Sequence, residues 1–255
     1  MQRHAFDGHG HFVPSPTAMD SQMSNDDRQV SDSWLLDAVQ AIAISPEDAK
    51  ASAEQRLRLI RAKYPKLDNN DVQDFAADAI VKNYARYAAS VGVATGATGI
   101  IPGLGTAVAA IGGAAVDGAA CMKIQVDMTM ILAAIYGYDI LNPDAQRLAF
   151  LIASTGALNK AGTQGAVILG GKAGVNMLRQ YLKGAALQAI KQFFKKLGLV
   201  FTRKALEKAL PFGIGMAVGG GANYALTRYV GNQARDWFII DRSDGGPAVT
   251  LGQRA

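Results

Sequence analysis

The sequence predicts an all-α protein, a multi-helix bundle with Gly/Ala-rich helical hairpins and flexible N- and C-terminal tails. Two observations predict it. Apolar residues recur at intervals of three and four in successive segments, which is the period of an amphipathic helix. The chain also holds 28 glycines, a larger share than the average of about 7%. Much of that excess lies inside apolar segments rather than in loops, where small residues favour close helix packing.

The first helices are marked by their start and stop signals. Residues 33–44 (SWLLDAVQAIAI) place apolar side chains on one side of a helix. A second helix should begin at Ser45-Pro46, because Ser is a good N-cap and Pro fits the first helical position. It should end near Lys63, before the next proline.

A run of thirty uncharged residues, Tyr87 to Val116, follows a third helix that Asn69 or Asn70 can cap. The run is long enough to cross a bilayer as one helix. Pro102-Gly103 interrupts it, which predicts a helical hairpin. A second uncharged run, Ala209 to Thr227, repeats the pattern. We expect the two runs to pack closely, while their exposure to lipid or to a protein core stays open.

From Thr106 the pattern is helical again until Gly137, a natural C-cap. Lys123 and Asp127 are four residues apart and should pair. Asp117 stands among Gly, Ala and Val, where a carboxylate needs a partner, water or a proton. It is a weak catalytic candidate, and a structural ion pair or a helix cap is the favoured interpretation.

Asn142-Pro143 should begin the next helix, which should end near Gly156. Beyond a Gly-rich segment, residues 181–210 combine an apolar stripe with many lysines, and Gly198 could split them into two helices. A basic amphipathic helix with Phe on its apolar side is typical of a membrane-surface element. A surface helix of a bundle explains the pattern equally well. The residues assigned to membrane binding are Lys191, Phe193, Phe194, Lys195, Lys196, Phe201, Arg203 and Lys204.

Two blocks of sequence resemble the EcsC family of bacterial proteins. The first runs from Val91 through IIPGLG to AAIYGYDILNPDAQRLAFLIAS, and the second is PFGIGMAVGGGANYALTRYVGNQARDWF. The resemblance covers roughly residues 45–238 and implies an all-α fold without an established reaction. Its motif residues are Pro102, Gly103, Tyr136, Gly137, Tyr138, Asp139, Gly219, Gly220, Asn223 and Thr227, and Asp117 also matches a polar position of the family.

Composition excludes several classes of chemistry. All three histidines (His4, His9 and His11) lie in the N-terminal segment, so the core has no histidine for a Ser-His-Asp or Cys-His arrangement. The single cysteine, Cys121, falls within an apolar helix and indicates a buried small residue. Neither metal-ligand spacing nor a complete nucleotide-binding glycine motif occurs, so no metal and no cofactor is expected.

Charge separates the two ends of the chain. Residues 1–80 hold 8 Lys/Arg and 13 Asp/Glu, whereas residues 81–255 hold 18 and 8. A basic C-terminal part suggests an anionic partner. Nucleic acid is not expected, because the basic segment has few interleaved aromatics and no known module.

The sequence therefore predicts a tail over 1–31, one helical EcsC-like domain over 32–240 and a tail over 241–255. We expect a non-catalytic protein that docks on anionic lipid at the cytoplasmic side of the inner membrane, with a transporter or envelope protein as a second candidate partner. No Sec-type signal is visible, and secretion by another route stays open. The alternatives are an enzyme that uses Asp117 on a lipid or other apolar substrate, and a secreted effector that perturbs membranes.

Overall fold

A computed structural model describes residues 34–94, 113–162, 171–207 and 215–245. Within these residues the all-α prediction is confirmed, because every regular element is a helix. The helices are α1 (Trp34–Ile42), α2 (Pro46–Lys63), α3 (Asn69–Ala94), α4 (Gly113–Ile135), α5 (Pro143–Lys160), α6 (Gly171–Gly184), α7 (Ala186–Glu207) and α8 (Gly215–Ser243).

Several helix ends follow the local signals in the sequence. The Ser45 side chain caps α2 and accepts a hydrogen bond from the Asp48 backbone N–H, with Pro46 at the first helical position. Asn142 caps α5 in the same way. At α3, however, the cap is Asp68, whose carboxylate accepts from the Asp71 N–H at 2.8 Å. Asp is as good an N-cap as Asn, so the kind of cap was predicted correctly, but it lies at Asp68 and not at Asn69 or Asn70.

Two glycines were expected to end or divide helices and do not. Helix α5 continues through Gly156 to Lys160, and α7 continues through Gly198. Gly156 packs against Val230 of α8, and a Cβ added there would lie 3.3 Å from the Val230 methyl groups. Close helix contact therefore explains this glycine better than a helix end does.

Helix α4 lies at the centre of the bundle. Helices α1, α2, α3, α5, α7 and α8 all pack against it. Nearly every side chain from Gly118 to Ile135 is buried, on all sides of the helix. A helix that is apolar all round needs this kind of enclosure or a membrane, and here the surrounding helices provide it.

The most extensive helix pair is α3 with α8, which run antiparallel. Asp74 lies beside Arg242, Asp78 beside Arg235, and Val81 beside Gly231. The two Gly-rich runs were expected to pack on each other; α3 and α8 hold parts of both, but the contacts named here lie outside the runs, so that expectation stays a prediction. The Pro102-Gly103 hairpin itself lies outside the described residues.

Candidate functional site

The outer face of α7 concentrates positive charge. Lys191, Lys195 and Lys196 are all exposed on it. Two leucines share that face, with 50% exposure at Leu187 and 42% at Leu199. At about 100° per residue, these five side chains fall within about half of the helix circumference. We call them the α7 outer face. Over their full lengths, α6 and α7 hold eight Lys/Arg and a single acidic residue.

The inner face of α7 corrects part of the sequence prediction. Phe193 and Phe194 were assigned to membrane binding, but both are buried in the bundle core. The Phe194 ring lies 5.9 Å from that of Phe150, and the Phe193 ring lies 6.0 Å from that of Tyr181. The apolar stripe therefore packs against helices, and the exposed side chains in the described part of α7 are the three lysines, two leucines and two glutamines (Gln188 and Gln192).

The far end of the assigned segment lies against α4. Phe201 is half-buried, and its ring approaches Gly118 so closely that an added Cβ would lie 3.2 Å from it. Arg203 and Lys204 belong to α7, but their side chains lie outside the described part of the structure. Their assignment to membrane binding stays a prediction.

The Tyr136-to-Asp139 motif forms the turn after α4. The Tyr138 N–H donates to the Ala133 carbonyl at 3.0 Å, and the Gly137 N–H donates to the Ala134 carbonyl at 3.1 Å. This pair of bonds is a Schellman C-cap. Gly137 has φ of +90°, a conformation that disfavours any residue with a Cβ. The glycine therefore allows the sharp turn that directs both flanking tyrosines inward.

Tyr138 belongs to a buried ionic cluster. Its hydroxyl donates to the Asp241 carboxylate, which is 2% exposed. Arg179 of α6 donates to the same carboxylate from Nε at 2.7 Å. Burial, followed by the neighbouring Asp241, raises the pKa of Tyr138, so the phenol stays protonated and remains a donor. The cluster joins the turn, α6 and the end of α8.

Asp241 lies inside α8 and belongs to the folded domain. The C-terminal tail was expected from residue 241, but α8 continues to Ser243 and buries Asp241. The acid follows Trp237 and Phe238 at helical spacing, and both of these side chains are buried too. That period was the available signal, and the polar character of residues 241–244 concealed it.

Tyr136 makes the equivalent contact on the other side of the turn. Its hydroxyl donates to Asp74 of α3 at 3.0 Å, and the Arg242 guanidinium lies 5.5 Å from the centre of its ring. Burial, with a further contribution from Asp74, raises the pKa of this phenol. The two tyrosines of the motif thus tie α4 to α3 and α8, which gives the motif a structural role.

Asp139 lies at a surface cleft next to this turn. Its carboxylate accepts from the Leu141 N–H at 3.2 Å, and its side chain is exposed. The cleft has a volume of about 450 Å³ and lies between α2 and the turn, with Lys50 and Glu54 at its rim. Its charged side chains are exposed, and Tyr138 is the one member of the buried ionic cluster that lines it.

The second motif, in α8, also contributes to packing. Thr227 is fully buried and accepts a hydrogen bond from Gln125 Nε2 of α4 at 2.9 Å. Gly220 is buried and Asn223 is half-buried. Gly219 lies in the same helix. The Thr227–Gln125 bond links α8 to the central helix, so this motif too has a structural role.

Asp127 is a buried carboxylate of α4. Lys123 pairs with it, as the four-residue spacing predicts, and the backbone N–H of Ile44 donates to its Oδ1 at 2.8 Å. Burial raises the pKa of Asp127, and both partners oppose that rise. The Ile44 contact fixes the segment that joins α1 to α2. It could not be read from sequence, because the two residues are 83 positions apart.

Several predicted residues lie outside the described side chains. Pro102 and Gly103 fall in 95–112, and the side chain of Asp117 is likewise not described, so the structure adds nothing to the catalytic hypothesis for Asp117. Among the described residues, no group of three or more His, Cys, Asp or Glu side chains could hold a metal ion.

One described helix is long and apolar enough to cross a membrane. This is the α4 segment Gly118–Ile135, of which 89% is buried among the other helices. The central helix of a soluble bundle meets the same length and composition criteria, so the segment alone is weak evidence for a span.

Comparison with known proteins gives no relative. The chain matches no family model, no curated protein and no solved structure. The resemblance to the EcsC family therefore stays a prediction from the motif residues.

Proposed function

We propose that this protein is a non-catalytic, peripheral membrane protein that docks on anionic lipid through the α7 outer face. The observation that carries the proposal is the exposure of Lys191, Lys195 and Lys196 on one side of α7, with two exposed leucines beside them. A helix that combines clustered lysines with exposed apolar side chains is typical of elements that lie at a lipid surface.

The burial of Phe193 and Phe194 limits how deeply the helix can enter lipid. With both rings packed inside the bundle, Leu187 and Leu199 are the exposed large apolar side chains among those described in α7. Two leucines bury little area, so lysine contacts with lipid headgroups supply most of the affinity. The docking is therefore electrostatic and reversible, and salt should release it.

The expected size of the effect follows from the lysine count. Each basic residue near an anionic membrane surface contributes about 1 kcal/mol, so three lysines contribute about 3 kcal/mol. Because about 1.4 kcal/mol corresponds to tenfold in affinity, their loss should weaken binding about 100-fold. Replacement by glutamate adds repulsion and should weaken it further.

The experiment is flotation of the purified full chain with vesicles of phosphatidylglycerol and phosphatidylcholine, and with phosphatidylcholine alone. We expect binding to the anionic vesicles, release at about 1 M salt where the screening length falls to about 3 Å, and no binding to the neutral vesicles. The triple variant K191E/K195E/K196E should lose binding to the anionic vesicles.

A matched control changes the same net charge elsewhere. Lys50, Lys63 and Lys66 are exposed on or just after α2. The triple variant K50E/K63E/K66E should keep most of its vesicle binding, since these lysines lie on a different helix. Equal loss in both triple variants would show a general effect of net charge and would contradict the proposal. Equal binding to neutral and anionic vesicles would do the same.

A further inference from the structure

We propose that the acidic N-terminal segment of this chain, residues 20–32, docks on the α7 outer face and competes there with lipid. The contact within the chain stands on its own observations. The competition with lipid rests on the proposed function, because both occupants would use the same lysines.

The first observation is charge complementarity. Residues 20–32 hold four acidic residues and a single basic residue, Arg28. The acidic residues are Asp20, Asp26, Asp27 and Asp32. Helices α6 and α7 show the opposite balance, with eight basic residues and one acid. Opposite charges of this kind favour pairing of the two stretches.

The second observation is where the segment joins the folded part. The chain enters the bundle at Trp34, the first residue of α1, and α1 packs directly against α7. Helix α1 has nine residues, so its far end is only about 13 Å from its start. The segment therefore ends two residues before a helix that contacts α7.

The reach of the segment is sufficient. Asp27 is seven residues before Trp34, and seven extended residues span up to about 24 Å. Along α7, Lys191 and Lys196 are separated by about 7.5 Å, at 1.5 Å per residue. Because α1 contacts α7 and is only about 13 Å long, an extended span of about 24 Å exceeds the distance from Trp34 to the nearest part of α7.

Tethering makes weak contacts sufficient. Exposed ion pairs are individually weak and are screened by salt. A short covalent link, however, holds the two partners at an effective concentration of about millimolar. The lysines at the end of α2 serve as the comparison that shows whether the contact is specific to α7. Helix α2 has 18 residues, so Lys63 in its last turn lies about 25 Å beyond the helix start.

The contact is tested by carbodiimide coupling of the full chain at low salt, followed by mass spectrometry. The reagent joins an aspartate carboxylate to a lysine Nζ as an amide and takes up the water that is lost. We expect amides between residues 20–32 and Lys191, Lys195 or Lys196, and their loss at about 1 M salt. Coupling to Lys63 and Lys66 with equal yield, or no coupling to α7, would overturn the contact.

The competition is tested with anionic vesicles. The variant D20N/D26N/D27N/D32N should bind at least about threefold more tightly than the unmodified chain, because the lysines no longer have a tethered competitor. The control makes the same change in net charge at exposed acids of the folded part. It is the variant E54Q/D71N/D139N/D236N, and it should shift binding less.

The two proposals fail in different ways. If the amides form but no variant binds anionic vesicles, the contact stands and the membrane function is wrong. If vesicles bind through α7 but the tail variant and its control shift binding equally, the membrane function stands and the competition is wrong.

Discussion

Replacement of Gly231 by alanine tests the tightest contact between α3 and α8. Gly231 is buried where the two helices cross, and a Cβ added there would lie 2.6 Å and 2.8 Å from the two methyl groups of Val81. It would also lie 3.1 Å from the sulfur of Met128. Real Cβ atoms do not approach other atoms below about 3 Å, so the helices must move apart or Val81 must change rotamer. A valine in a helix has one strongly preferred rotamer, which makes that change costly.

Two opposing effects set the change in the free energy of unfolding that Gly231→Ala should cause. Overpacking of a well-packed core costs about 1–3 kcal/mol. Replacing glycine by alanine inside a helix contributes about 0.8–1 kcal/mol in the other direction. We therefore expect Gly231→Ala to lower the free energy of unfolding by about 1 kcal/mol. Gly221 is the control, because it is exposed in the same helix and nothing lies within 4 Å of its added Cβ. Gly221→Ala should raise the free energy by up to about 1 kcal/mol.

Urea denaturation measures both changes, and thermal unfolding should show shifts of about 2–4 °C per kcal/mol for a chain of this size. A second substitution identifies the cause. Val81→Ala removes the methyl groups that Gly231→Ala would meet, so the double variant should be more stable than the sum of the single effects by about 1 kcal/mol or more. If Gly231→Ala stabilises the protein as much as Gly221→Ala does, the close contact between α3 and α8 is wrong.

Two further predictions concern buried carboxylates. Burial raises the pKa of Asp127, so the folded state holds its proton to higher pH than the unfolded state does. Stability from this group is therefore present below the unfolded pKa of about 3.9 and is lost as the pH rises through the folded value. The free energy of unfolding relative to Asp127→Asn should fall over that range, as urea titrations at several pH values would show. Tyr138→Phe should cost about 1.5–3 kcal/mol at neutral pH, because it removes a donor to the buried charge of Asp241.

Controls for these two substitutions lie nearby. Asp139 is exposed, so Asp139→Asn should leave the pH dependence unchanged. Tyr136→Phe removes a similar hydroxyl, but its partner Asp74 has a side chain that is 32% exposed and can be hydrated. Its cost should be below about 1 kcal/mol. Equal costs for Tyr136→Phe and Tyr138→Phe would contradict the burial argument. A parallel pH response of Asp127→Asn and the unmodified chain would contradict the raised pKa.

The parts of the fold that the sequence predicts are the local ones. Ser45, Asn142 and Gly137 act within a few residues of themselves, so their capping roles can be recognised without knowledge of the tertiary structure. The Lys123–Asp127 pair belongs to the same category, since one helix turn joins its members. The starts of α2 and α5 and the ends of α2 and α4 follow from signals of this range.

The burial of particular faces could not be predicted in the same way. Lysines and phenylalanines alternate around α7, and that pattern fits a helix on lipid as well as a helix on a bundle. Phe193 and Phe194 were assigned to lipid because no sequence feature states what covers them. The choice depends on Phe150 and Tyr181, which lie on other helices. The partners of Asp127 and Asp241 are likewise distant in sequence.

The apolar composition of α4 fits both a membrane span and the central helix of a bundle. A membrane span and the central helix of a bundle both need an apolar window of about 20 residues, so length and composition do not separate them. The polar residues within this window of α4 distinguish the two. Lys123 pairs with Asp127, and Gln125 donates to Thr227 of α8. Gln125 and Asp127 thus have partners outside α4, Thr227 and the Ile44 N–H, which lipid would not supply, although the Gln125 Oε1 atom is buried without a hydrogen-bond partner. Packing within the bundle accounts for the composition of α4, and the proposal of membrane docking therefore rests on the exposed lysines of α7.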